Sequence, residues 1–283
     1  MQLMFLGTAA SEGFPDAFCG CDNCLAARAA GGRSLRKRSS ALIDNQLLID
    51  LGPDLMAAAQ IHQVPLDRMA YCLQTHDHAD HLDPSHLLSR STYSGVNTAP
   101  QLAYYASSVS LAKIAETLQR RVSSAVSLDT ALDERLNLRI HQIRPGQHFE
   151  VGPYRVTSIA ASHAPEAMLF LIERDQQCLF YATDTGPLSE EAWQMLAAHD
   201  GPIHMVALDH TFGFKQRSLA HLNAEQFQEQ IARMREQNLL ADRARIFAHH
   251  LGHHSHPAHD QLVDYAASHG YEVAYDGLQV MIG

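Results

Sequence analysis

At 283 residues, 46% of them hydrophobic, the chain can bury a large core, and α/β proteins of this size commonly form one domain, expected here to span residues 1–283. A net charge of −10 argues against a broad basic surface built to grip nucleic acid. No apolar stretch approaches the ~18 residues needed to span a bilayer, the N-terminus lacks a signal-peptide pattern, and the five cysteines are odd in number, so a cytoplasmic protein with reduced thiols and no membrane partner is expected.

Gln2 to Leu6 is a short apolar run closed by Gly7-Thr8 and reads as the first strand. Cys19, Cys21 and Cys24 follow in a loop rich in Gly, Pro and Asp. Three thiolates at this spacing can wrap one tetrahedral zinc if a fourth ligand arrives from elsewhere, which defines an expected Cys-rich zinc loop over residues 13–30. Arg33 to Arg38 is the only dense basic run. Charge runs usually face water, so it reads as a solvated loop, and the alternative kept beside that is a substrate hint, since Ser39 and Ser40 behind it could donate to phosphate oxygens. Ser40 to Leu51 then holds two strand-like runs separated by Asn45-Gln46, Leu55 to Ile61 reads as a short helix, and Met69 to Leu73 as a buried strand.

That strand runs into T-H-D-H-A-D-H, Thr75 to His81, where His76, His78, Asp80 and His81 crowd together. A continuous helix would put His76 and Asp80 on one face and turn His78 and His81 away, since only i, i+3 and i, i+4 positions are neighbours. The backbone is therefore expected to be irregular. Imidazole nitrogen and carboxylate oxygen suit zinc, iron or manganese, and four such groups exceed what one catalytic metal with an open position needs, so two adjacent metals are expected.

After His81 a helix is expected to begin near Pro84, with Leu87 and Leu88 on one face. The spacing of Leu111, Ile114, Ala115 and Leu118 gives a second helix that could wall a substrate cleft. Leu138 to Ile159 breaks into short runs read as strands of a second sheet, and His163 follows directly. Ala167 to Glu173 and Cys178 to Asp184 read as a hairpin, Ser189 as the N-cap of a helix to Ala198, Ile203 to Leu208 as a strand, and Ala224 to Leu240 as a helix preceded by His221. Ala244 to Ala248 is the last long strand. It runs into H-H-L-G-H-H-S-H, in which composition alone leaves any histidine open as a ligand or a solvated residue.

H-D-H-A-D-H resembles the H-x-H-x-D-H signature of the metallo-β-lactamase superfamily. Leu6-Gly7-Thr8, Ile49-Asp50-Leu51-Gly52, Ser162-His163 and Thr183-Asp184-Thr185-Gly186 match further motifs of that superfamily in order. The resemblance implies an α/β fold, an αββα sandwich of two mixed sheets flanked by helices, with metals where loops of both sheets meet. It also implies His76, His78 and His163 on one metal, Asp80, His81 and His250 on the other, and Asp184 bridging both. Within the superfamily the chain is similar to the PhnP family of cyclic phosphodiesterases. That likeness includes the C-x-C-x-x-C loop, H-x-x-H at His250 and His253, and Asp276-Gly277-Leu278, and spans the chain except residues 85–140. It implies a structural zinc on Cys19, Cys21, Cys24 and His253, leaves His249, His254 and His256 as bystanders, and puts His221 beside the leaving group.

The expected activity is hydrolysis of small or cyclic phosphodiesters with two divalent metals, zinc or manganese, that lower the pKa of a bridging water, and with Asp80 and His221 as catalytic residues. Two alternatives are weighed against it. Gly13-Phe14-Pro15 and the Cys loop also resemble the pyrroloquinoline quinone biosynthesis proteins PqqB, with redox associations, but the intact histidine motif speaks against them. A transfer-RNA processing nuclease is the other, and the acidic balance makes RNA the poorer substrate. The partner expected is a small-molecule diester, with a homodimer left open.

Overall fold

A computed structural model describes residues 1–121 and 136–283. Two seven-stranded sheets pack face to face. The first contains β1 (Gln2–Gly7), β2 (Ser40–Ile43), β3 (Leu47–Ile49), β4 (Tyr71–Leu73), β5 (Leu102–Ala106), β6 (Leu138–Gln142) and β14 (Gln279–Met281), in the order β14-β1-β2-β3-β4-β5-β6. The second contains β7 (His148–Val151), β8 (Tyr154–Ala160), β9 (Met168–Arg174), β10 (Gln177–Ala182), β11 (Ile203–Asp209), β12 (Leu240–His249) and β13 (Glu272–Val273), in the order β13-β12-β11-β10-β9-β8-β7. A short helix, α1 (Asp22–Ala30), follows the Cys loop. Helices α2 (Leu55–Ile61), α3 (Ser85–Ser89) and α4 (Ser108–Arg121) contribute to the core outside the first sheet, and α5 (Glu190–Ala197), α6 (Ala224–Glu236) and α7 (His259–Ser268) to that outside the second.

The αββα sandwich follows from strand alternation. Side chains of a strand point alternately to opposite faces, so a strand covered on both sides is apolar throughout. In β1, Leu3 and Phe5 join the inter-sheet core while Met4 and Leu6 face the helices. In β9, Phe170 and Ile172 point inward, and Leu169 and Leu171 outward. These are the continuous apolar runs visible in the sequence.

The geometry of the second sheet gathers the loops. Strands β10, β11 and β12 are parallel, and β8 is antiparallel to β9, which is antiparallel to β10, so all four C-terminal ends lie on one edge. The first sheet delivers the end of β4 to the same place, tied across by a hydrogen bond from Met168 N to the Thr75 carbonyl, 2.9 Å. The carboxyl ends of parallel strands are where α/β folds place their sites.

Four expectations are corrected. The basic run is not a solvated loop: Arg36 is buried, its guanidinium bonded to Thr8 Oγ1 (2.8 Å), His259 Nδ1 (2.8 Å) and the Ala274 carbonyl. Lys37 pairs with Asp276 and Arg38 grips Asp54 with two bonds, so the run spends its charge on joining elements. The hydroxyls of Ser39 and Ser40 are likewise engaged, with His249 Nε2 (3.0 Å) and with the carbonyls of Ile49 and Asp50. β6 pairs with β5 in the first sheet rather than belonging to the second. The helix from Ala224 ends at Glu236, because Asn238 at φ 56° turns the chain so that Leu240 can open β12. Of the stretch left unassigned by resemblance, residues 122–135 lie outside the described residues.

Candidate metal centre

The loop after β4 is irregular, as expected, and it is held from below. Asp50, fully buried at the end of β3, accepts hydrogen bonds from Thr75 N (2.8 Å) and Thr75 Oγ1 (2.8 Å) and lies 2.6 Å from His81 Nδ1. Gln74 Nε2 donates to the carbonyls of His76 (2.9 Å) and His81 (3.0 Å). Gly52 is required by the close approach of this loop, since a Cβ there would meet the Asp80 carbonyl oxygen at 2.7 Å. With Nδ1 of His81 fixed by Asp50, its Nε2 faces the site.

Two groups of side chains then share Asp184. His81 Nε2 lies 3.2 Å from Asp80 Oδ2, 3.1 Å from Asp184 Oδ2 and 3.2 Å from His250 Nε2. His76 Nε2 lies 3.2 Å from Asp184 Oδ2, and His163 Nε2 is 3.1 Å from His78 Nδ1 and 3.6 Å from Asp184 Oδ2. His76, His78, His163 and Asp184 form one set within mutual reach of a single ion, and Asp80, His81, Asp184 and His250 the other. Asp50, Asp184 and His250 all have left-handed backbone, at φ 67°, 53° and 60°, a strained conformation of the kind that collects at functional sites.

The residues fit divalent metals. His76 Nε2 and Asp184 Oδ1 are buried with only imidazole–carboxylate neighbours, Asp184 Oδ2 at 3.2 Å and His250 Nδ1 at 2.8 Å, and make no well-aligned hydrogen bond, an arrangement that a cation would resolve; the mixed nitrogen and oxygen donors suit zinc or manganese. The electrostatics point the same way. Burial opposes charge on His250, yet the Asp184 carboxylate beside it raises its pKa to about 10. Asp80 is also buried, and His81 and His250 nevertheless hold its carboxyl well below the usual range. The site therefore attracts positive charge.

His221 sits at its border. Its Nδ1 lies 3.1 Å from Asp209 Oδ2 and 3.7 Å from Asp184 Oδ1, and its ring stands 4.9 Å from that of His163. Asp209, buried at the end of β11, also accepts from Thr211 N (3.0 Å) and Leu222 N (2.9 Å), so its carboxylate is fixed before it orients the imidazole. That carboxylate raises the His221 pKa against the effect of burial. Gly186 lets the His221 loop close on the Asp184 turn, since a Cβ there would fall 1.8 Å from the Leu219 carbonyl oxygen. Asp209, His221, Asp184 and His250 form a further group close enough to share an ion, so His221 is within reach of both roles. Sequence reasoning passed over Asp209 and gave Asp50 no role; for Asp209 the available signal was a position at the end of an apolar run, the same as that of Asp184.

Cys19, Cys21, Cys24 and His253 converge as a separate set, with Cys24 Sγ 3.3 Å from His253 Nδ1 and Asn23 Nδ2 donating to the His253 carbonyl at 3.1 Å. Backbone and His253 hydrogen bonds lower the Cys21 pKa to about 6, while burial pushes the Cys24 thiol up to about 12, so of these two it is Cys21 that favours the thiolate a metal needs. His249 and His256 lie outside both sets, and both are core residues rather than solvated ones. His249 Nε2 meets Tyr181 Oη at 3.0 Å, and His256 Nε2 meets His210 Nδ1 at 2.9 Å.

Residues 45–250 match a family model described as beta-lactamase superfamily domain. Among solved structures, the chain is similar to a diphosphatase of the PhnP family, at 17% identity over 99% of this chain and 96% of that one, with a TM-score of 0.72. It is also similar to zinc-bound PqqB from Methylobacterium extorquens, at 20% identity over all of both chains and a TM-score of 0.69. Human tRNase Z, short form, is 14% identical over all of both chains, with a TM-score of 0.67. No curated protein sequence matches significantly. At these identities the structural likenesses speak for a common fold.

Proposed function

The chain belongs to the metallo-β-lactamase superfamily, and from that premise we propose that it is a dinuclear metal-dependent hydrolase of small or cyclic phosphodiesters. One observation carries the reading: a single carboxylate, Asp184, belongs to two sets of ligand atoms, one fully buried and the other opening outward at His78. His76, His78 and His163 would hold one metal, Asp80, His81 and His250 the other. When bound, such a pair supplies an activated water and neutralises the phosphoryl charge.

The protein's own part is positioning and proton transfer. Asp80, kept ionised by its histidine neighbours, would orient the attacking water. His221, aligned by Asp209, can give its proton to the leaving oxygen as the phosphorus–oxygen bond breaks, so that water and diester become monoester and alcohol. At the Cys set, zinc would serve structure.

The acidic balance and the pairing of Arg155, Arg217, Arg233 and Arg245 with glutamates support a small substrate over RNA. Purified protein supplied with zinc or manganese is expected to hydrolyse bis(4-nitrophenyl) phosphate and a 2′,3′-cyclic nucleotide. Turnover of a thioester with neither phosphodiester cleaved would overturn the proposal.

A further inference from the structure

Only three lysines occur in the chain, so each can be followed. Lys37 is paired with Asp276 at 3.3 Å, and Lys215 is exposed in the loop leading to His221. Lys113, in the second turn of α4, donates from Nζ to the main-chain carbonyl of Asp77, the residue between His76 and His78. The start of α4 reaches the neighbouring loop as well: Ser108 Oγ donates to Glu166 Oε2 at 2.8 Å, three residues beyond His163. The first two turns of this helix thus bridge the loops that carry His76, His78 and His163, on the side where His78 is exposed.

An ammonium has three N–H donors, and among the described residues the Asp77 carbonyl is the one acceptor that Lys113 meets. The carbonyl is neutral, so bonding it leaves the positive charge of the ammonium uncompensated. The charge is what anchoring leaves unused, and in a chain of net −10 an anion approaching the site meets an adverse field that a local cation offsets.

We propose that Lys113 is an anion-binding residue of the substrate site, its ammonium taking a non-bridging oxygen of the phosphodiester at the rim beside His78. The assignment rests on the phosphodiesterase reading above. It names the residue that selects an anionic substrate over a neutral ester.

The test uses metal-loaded protein, with metal content measured for every variant. Inorganic phosphate affinity is read by calorimetry, and KM and kcat with bis(4-nitrophenyl) phosphate. Lys113→Met is expected to weaken phosphate binding and raise KM by about tenfold or more, as for loss of a charge-assisted hydrogen bond, with kcat changing less. Lys113→Arg should recover most of the loss, and Lys215→Met should shift phosphate affinity by less than about twofold, since an exposed charge acting at a distance is screened. Unchanged phosphate affinity in Lys113→Met, an equal loss in Lys215→Met, or a loss that disappears once metal is resupplied would each overturn the assignment. A wild-type protein that binds phosphate but cleaves no diester would overturn the hydrolase reading, while the phosphate affinities of the variants would still decide Lys113.

Discussion

In the proposed mechanism His221 and Asp209 divide a task that neither would perform alone. An alkoxide leaving group needs a proton in the transition state, whereas nitrophenolate departs readily without one. His221→Ala is therefore expected to slow hydrolysis of alkyl or ribosyl phosphodiesters by ~10²–10⁴ while largely sparing bis(4-nitrophenyl) phosphate, with catalytic metal content unchanged. Equal losses on both substrates, or loss of metal, would place His221 on an ion instead, a role its distance to Asp184 also permits. Asp209→Asn keeps the shape but removes the charge that raises the His221 pKa. The limb of the pH–rate profile on alkyl diesters that requires protonated imidazole should then move to lower pH, since His221 would lose its proton at lower pH. Asp184 is the residue both ligand sets share, so Asp184→Ala is expected to remove both catalytic metals, read by elemental analysis, while the Cys set keeps its own.

At the scale of elements, the segment from Arg36 to Arg38 acts as a rivet. It joins the end of β1, the start of α7 and the turn before β14, and through Asp54 it holds the entry to α2. Arg36→Met would leave Thr8 and the Ala274 carbonyl without their donor inside the protein, and a stability loss of roughly 2–4 kcal/mol in urea unfolding is expected. The Asp54 pair has a pH signature. Burial raises the Asp54 pKa, yet the hydrogen bonds and charge of Arg38 outweigh it and leave the folded value below the ordinary 3.8. A carboxyl with a depressed folded pKa contributes stability that is present above its unfolded value and lost as pH falls through the folded one. Asp54→Asn should thus be less stable than wild type at pH 7, and the gap should narrow towards pH 3. A constant gap across that window would mean the pair contributes by packing alone.

For the whole molecule, the closing segments decide how the two sites relate. Only two residues, Leu251 and Gly252, separate His250 of the Asp184-centred ligand set from His253 of the Cys set, and Leu251 is pinned between them by hydrogen bonds with Thr8 and Ala10. Fully loaded protein is expected to hold three metals per chain. His253→Ala should lose the Cys-bound zinc and lower the unfolding temperature, because binding of a structural metal is coupled to folding, yet retain the catalytic pair. A variant that lost catalytic metal and kept the Cys-bound ion would reverse the assignment of His250 and His253. No helix among the described residues is long and apolar enough to cross a membrane.

Local pattern was sufficient for most of the architecture. Strand runs, the helix at Leu55 to Ile61, the Ser189 cap and the H-x-H-x-D-H loop are legible because period, capping and turn chemistry act over a few residues. The sequence also determined which residues are competent to bind a metal. It could not by itself determine which carboxylates lie beneath them. Asp50 and Asp209 act through contacts with His81 and His221 at separations of 31 and 12 residues, and they matter only because strand order brings those ends to one edge. The basic run was misread for the same reason: a charge run faces water unless acids from distant segments come to meet it, and Asp54 and Asp276 are delivered by the fold. Lys113 lay in a helix whose spacing showed ordinary packing, and only the placement of that helix over Asp77 puts its charge beside the metal loop.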